Sequence, residues 1–129
     1  MNYSVSIDVP ALDDGLRFYG EAFGFVESAR PVEGYAVLKC NDVEIALIEK
    51  AAGTHPAEGA SDIRRYERHW TPVHIDFHVE QFEEVLNRAV NAGARCEQRF
   101  DGGDHPPVAF CSDPFGHGFC IIGKKPGSS

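Results

Sequence analysis

The sequence contains no apolar run long enough to span a bilayer. Nor does any stretch read as a charged-then-apolar signal peptide. A cytoplasmic protein is therefore expected. Cationic side chains are also scarce: 12 Lys and Arg stand against 20 Asp and Glu, a net charge of −8. That balance argues against non-specific nucleic-acid binding and against anionic membranes. It suits a neutral or cationic ligand, or simply a solvated acidic surface. The four cysteines, Cys40, Cys96, Cys111 and Cys120, include no C-x-x-C pair. Reduced cytosolic thiols are the simplest reading of that scatter. Gly-rich phosphate loops, nucleophile elbows and zinc-finger spacings are missing as well.

What the chain does have is one unit written twice. From Val73 to Gly93 it reads as a strand and then a helix. Ile75, Phe77 and Val79 alternate with His74, Asp76 and His78, the period of a strand with one apolar and one polar face. Phe82, Val85, Leu86, Ala89 and Val90 then fall on a helical stripe, and Gly93 stands where a C-cap glycine belongs. Seventy positions earlier, Ser4, Ser6 and Asp8 occupy the polar places, and Val5, Ile7 and Val9 the apolar ones. Leu12 and Leu16 match Phe82 and Leu86, and Gly24 matches Gly93 with a slip of one residue. A repeated supersecondary unit is a stronger signal than either copy alone.

At 129 residues and 43% hydrophobic content, the chain makes one domain of ordinary size. Strand one covers residues 3 to 9 and ends at Pro10. Asp13 is the expected N-cap of helix one, with Asp14 placed favourably for the helix dipole. The apolar stripe of that helix is Leu12, Leu16, Tyr19 and Phe23. Short strands follow at Phe25–Ala29, Tyr35–Cys40 and Val43–Ile48, the last two joined at Asn41-Asp42. Residues 51–69 lose all periodicity and read as a linker or mobile loop, with a short helix expected over 61–68. After the second strand and helix come strands at Arg95–Phe100, Val108–Cys111 and Gly118–Gly123. The organisation is module one at 3–50, a linker at 51–69, module two at 70–123 and a polar tail at 124–129.

Three stretches carry a family resemblance: residues 9–25, His74-Ile-Asp-Phe-His-Val79, and Asp113-Pro-Phe-Gly-His-Gly-Phe-Cys-Ile-Ile122. With the module order they resemble the vicinal oxygen chelate superfamily, which includes glyoxalase I, extradiol dioxygenases, fosfomycin-resistance enzymes and bleomycin-resistance proteins. The resemblance implies an α+β fold of two tandem βαβββ modules, with curved mixed sheets forming a concave pocket. It says little about reaction, because one scaffold hosts many chemistries. The family's metal enzymes place ligands on the first and last strands of each module. Those places fall on Ser4, Ala46, His74 and Cys120. Alanine cannot bind a metal, serine binds poorly, and a thiol suits softer zinc chemistry. No metal cofactor is therefore expected, with a divalent ion at His74 as the minority reading. Homodimers are common in the family, and one is expected here.

The candidate ligand-binding residues are Ser4, Ser6, Asp8, His74, Asp76 and His78, and the best catalytic candidates are His74 and Asp76. Asp76 could hold one imidazole tautomer and raise its basicity. The same pattern also describes a strand with a wet polar face. Cys120, between Phe119 and Ile121, reads as a small buried hydrophobe. His105 and His117 read as surface groups. Arg64, Arg65, Tyr66 and Trp70 could close over a ligand, or merely decorate the surface. Three functions stay open: a metal-free small-molecule binder of the bleomycin-resistance type, a metal-dependent lyase or dioxygenase with an altered ligand set, and a metal-free His–Asp acid/base enzyme.

Overall fold

The computed structural model describes residues 1–125, so 126–129 of the expected tail lie outside the described residues. The chain divides into two compact units, Met1–Tyr66 and a second that begins at Glu67. The first contains β1 (Ser6–Val9), α1 (Leu12–Phe23), β2 (Val26–Val32), β3 (Tyr35–Cys40) and β4 (Val43–Glu49). The second contains β5 (Ile75–His78), α2 (Phe82–Ala92), β6 (Arg95–Phe100), β7 (Val108–Ser112) and β8 (Gly118–Ile122). The sheets have the same topology, β1-β4-β3-β2 and β5-β8-β7-β6. In each, the first and last strands pair in parallel and the other pairs are antiparallel. The fold is thus α+β, two tandem βαβββ modules with open mixed sheets.

Both first strands are shorter than alternation suggests. β5 runs from Ile75 to His78 in parallel with β8, and just past its end the Val79 N–H still donates to the Ile122 carbonyl at 2.9 Å. Both helices stop where expected, at Gly24 (φ 83°) and Gly93 (φ 121°), left-handed positions that suit glycine.

The entry to α1 differs from expectation. Asp13 is not the N-cap; Ala11 holds that place and offers no side-chain acceptor. Instead, the Leu12 N–H donates to the Glu49 carboxylate at 2.8 Å, so the end of β4 caps the helix from 37 residues away. Asp13 and Asp14 sit in the first turn, where their charge still complements the dipole. The buried stripe is also turned. Leu12, Gly15, Phe18, Tyr19 and Ala22 are buried, whereas Leu16 and Phe23 are only half-buried. Gly15 explains the rotation. A Cβ there would lie 2.8 Å from Leu47 Cδ1 and 3.1 Å from Val9 Cγ1, so the helix rests on the sheet at its smallest residue. Phe18, Leu38 and Leu47 complete this core, each worth about 1.5–3 kcal/mol of burial.

In α2, Phe82, Val85, Leu86 and Ala89 are buried as expected, while Val90 stays exposed. The expected helix over 61–68 does not form. The Arg64 backbone bonds in both directions, its carbonyl accepting from Gly53 N–H and its N–H donating to Thr54 O, each at 2.8 Å. That pairing folds the segment into a loop.

Candidate functional site

One residue from each strand of the second module forms a row across its sheet. Asp76 stands opposite Cys120, Cys120 opposite Phe110, and Phe110 opposite Gln98. Residues directly opposed in this way share a face. The corresponding row in the first module is Ser6, Ala46 and Val37. One topology therefore carries ionisable groups in one copy and almost none in the other.

Irregular backbone adds the next two groups. The β6–β7 register shifts between Cys96 and Gln98, leaving Glu97 as the extra residue. Such a bulge lets two successive side chains turn the same way. Glu97 and Gln98 both line a cleft of about 370 Å³. The Arg68 guanidinium meets Glu97 bidentately, at 2.6 and 3.0 Å. It also donates to the His69 carbonyl. The Arg68 hydrogen bond holds the Glu97 carboxyl below its usual range, with help from Ser112 and the charge of Arg95, against the opposing effect of burial. Reciprocally, Glu97 raises the Arg68 guanidinium.

Two glycines let the segment that carries Arg68 lie down on the sheet. At Gly116 (φ 88°) a Cβ would sit 2.3 Å from the Glu67 carbonyl oxygen, and at Gly118 it would meet the Arg68 guanidinium at 3.0 Å. The turn between β7 and β8 is fixed by buried Asp113, whose Oδ1 accepts from the N–H groups of Phe115 and His117, both at 2.9 Å. His117 is consequently half-buried rather than a surface group, while His105 is exposed as expected.

The cleft is lined by Arg68, Trp70, Thr71, His74, Glu97, Gln98, Phe110 and Cys120, among others. Its volume is in the range of small-molecule sites. At one end, His74 Nδ1 is 3.0 Å from Asp76 Oδ1. Donor atoms of His74, Asp76 and Cys120 all lie within 4.8 Å of one another. Cys120 is buried as expected, yet its thiol faces a carboxylate. Burial, then the charge and hydrogen bond of Asp76, push that thiol up to about 11. It is protonated at neutral pH.

Of the six candidate residues, His74 lines this cleft and Asp76 joins it through the imidazole. His78 is exposed on β5, opposite Ile122. Ser4 and Ser6 are exposed in the first unit, and Asp8 there accepts from Arg64 Nε at 2.8 Å. Tyr66, in the same unit, donates to the Lys50 carbonyl. Among the loop residues proposed to close over a ligand, Trp70 lines the cleft. Glu97 and Gln98 were not legible as site residues, because a bulge leaves no mark in hydrophobic periodicity, and Arg68 was not because it stands in a segment without any.

A family model described as a glyoxalase-like domain matches residues 4–122. The chain belongs to the glyoxalase-like family. That match agrees with the resemblance read from the sequence, to a superfamily that includes glyoxalase I. No curated protein matches the sequence. Among solved structures, a hypothetical protein from S. aureus aligns with this glyoxalase-like chain at a TM-score of 0.73 and 21% identity, covering 95% of this chain and 93% of that one. The fosfomycin resistance protein FosX of Listeria monocytogenes aligns at 0.72 and 15%, covering 98% and 94%. A mutant of that FosX, complexed with Mn(II) and 1S,2S-dihydroxypropylphosphonic acid, aligns at 0.69 and 16%, covering 92% and 86%. At such identities the likeness speaks for the fold.

Glyoxalase-like folds raise the question of a metal. Manganese prefers oxygen donors. The first module's last-strand place is Ala46, which has no donor atom, and Ser4 offers one hydroxyl. The second module offers a nitrogen, a carboxylate oxygen and a sulfur close together. That donor set fits a softer, tetrahedral ion such as zinc.

Proposed function

We propose that this glyoxalase-like protein binds a small organic molecule in the cleft of its second module. The observation that carries this reading is the cleft itself, about 370 Å³ with Trp70 and Phe110 beside Arg68, Glu97, Gln98 and His74. Small-molecule sites combine an apolar lining with a few convergent polar groups. Arg68 is already matched by Glu97, so Asp76 leaves the site with a negative balance. The ligand class is therefore a compact molecule with an apolar body and a cationic or hydrogen-bond-donating group. A cytoplasmic, homodimeric protein belongs to the same reading. A metal ligand at Ala46 does not, since alanine has no donor atom.

The test is a panel of small cations, neutral amides and carboxylates titrated into chelator-treated protein and followed by NMR. Saturable one-to-one binding of a cationic or donor-bearing member is expected, weakened at least tenfold by Phe110→Ala. A panel in which only carboxylates bind, or in which Phe110→Ala changes nothing, overturns the proposal. Turnover of a bound member would add catalysis by the His74–Asp76 pair, in which the carboxylate orients the imidazole.

A further inference from the structure

We infer that His74, Asp76 and Cys120 form a zinc site contained wholly within the second module. The relevant feature is Asp76, which stands at none of the places where the family's ligands are expected. It lies opposite Cys120 in the β5–β8 register and 3.0 Å from His74 Nδ1. Zinc bonds of about 2.0–2.3 Å in a tetrahedron put neighbouring donors roughly 3.3–3.8 Å apart. The donors here lie within 4.8 Å of one another, so side-chain rotation suffices to reach that spacing without moving a strand.

The surroundings suit the assignment. Cys120 sits in a central strand and is 4% exposed, whereas the paired side chains of His74 and Asp76 are more than 40% exposed. A thiolate donor selects against manganese and magnesium, which prefer oxygen. Three protein donors leave one tetrahedral position open, the arrangement of zinc sites that accept an exogenous ligand. His74 and Cys120 both line the cleft, so an atom of a bound molecule could reach that position. When bound, the ion would supply Lewis acidity at that end of the cleft. The inference does not depend on the small-molecule proposal, which is tested on metal-free protein.

The experiment titrates chelator-treated full-length protein with zinc, cobalt and manganese salts, read by calorimetry and elemental analysis after dialysis. About one zinc per chain is expected, with manganese at least tenfold weaker. The cobalt form should show thiolate-to-cobalt charge-transfer absorption, absent in Cys120→Ser. Asp76→Asn should lower zinc affinity at least tenfold. Because Asp76 is exposed, its substitution leaves the fold intact, and circular dichroism verifies this for both variants. Zinc binding unaffected by Asp76→Asn would overturn the single-module site. So would manganese binding as tightly as zinc, no zinc retention, or a cobalt spectrum without the sulfur band.

Discussion

Glu97 shows what a single inserted residue does. The bulge costs the β6–β7 ladder one regular pairing and gives the cleft an acid that holds Arg68 in place. Its folded-state carboxyl is depressed, so its stabilising contribution is present above the unfolded value of about 4.3 and is lost as pH falls through the lower folded value. Both partners are about a third exposed, at 38% and 29%, so solvent screening keeps the contribution below about 1 kcal/mol. Glu97→Gln should therefore be modestly less stable than the wild type at pH 7, and the gap should close in acid. Urea unfolding of both proteins across that range checks this. A gap that persisted or widened in acid would mean the charge pair is not its source.

At the scale of the element, the segment at Glu67–His69 depends on Gly116. An alanine there meets two obstacles: a left-handed backbone, worth about 1–2 kcal/mol, and a carbonyl oxygen 2.3 Å from its new carbon. Gly59 is the matched control, with φ +79° and nothing within 4 Å. Gly116→Ala should lower Tm distinctly more than Gly59→Ala, and should weaken the cleft through displacement of Arg68. Equal effects would show that the segment is not docked on the turn. The same comparison marks where legibility ends. The two modules are readable because period two, period 3.6 and the helix-ending glycines are local patterns. Glu49 capping α1 depends on a pairing partner 37 residues distant, and the close approach of the sheet at Gly15 is invisible to a count of apolar residues. His74 and Asp76 stand out on one strand. Cys120 looks like filler until cross-strand register puts it opposite Asp76.

At the scale of the whole molecule, exposed apolar surface bears on assembly. Each helix packs on the sheet of its own module, α1 against β4 and α2 against β8. In the second module Phe100 and Phe110 contact edge-to-face at 5.3 Å and remain 44% and 39% exposed. Trp70 and Val73 are exposed further, at 80% and 82%. Isolated exposed hydrophobes need no explanation, but clustered aromatics of this size mark surfaces that bind partners. No helix among the described residues is long and apolar enough to cross a membrane, so such a helix does not account for them. A second copy of the chain is the simplest partner, because two-fold homodimers are the commonest assembly. Light scattering on a sizing column should therefore give twice the 14.2 kDa of one chain, reverting towards one chain on dilution or when Val73 is replaced by aspartate. A monomer mass that does not change with concentration would exclude the dimer. It would leave the cleft and the zinc site untouched, because every residue assigned to either belongs to the second unit, from Glu67 onward, of a single chain.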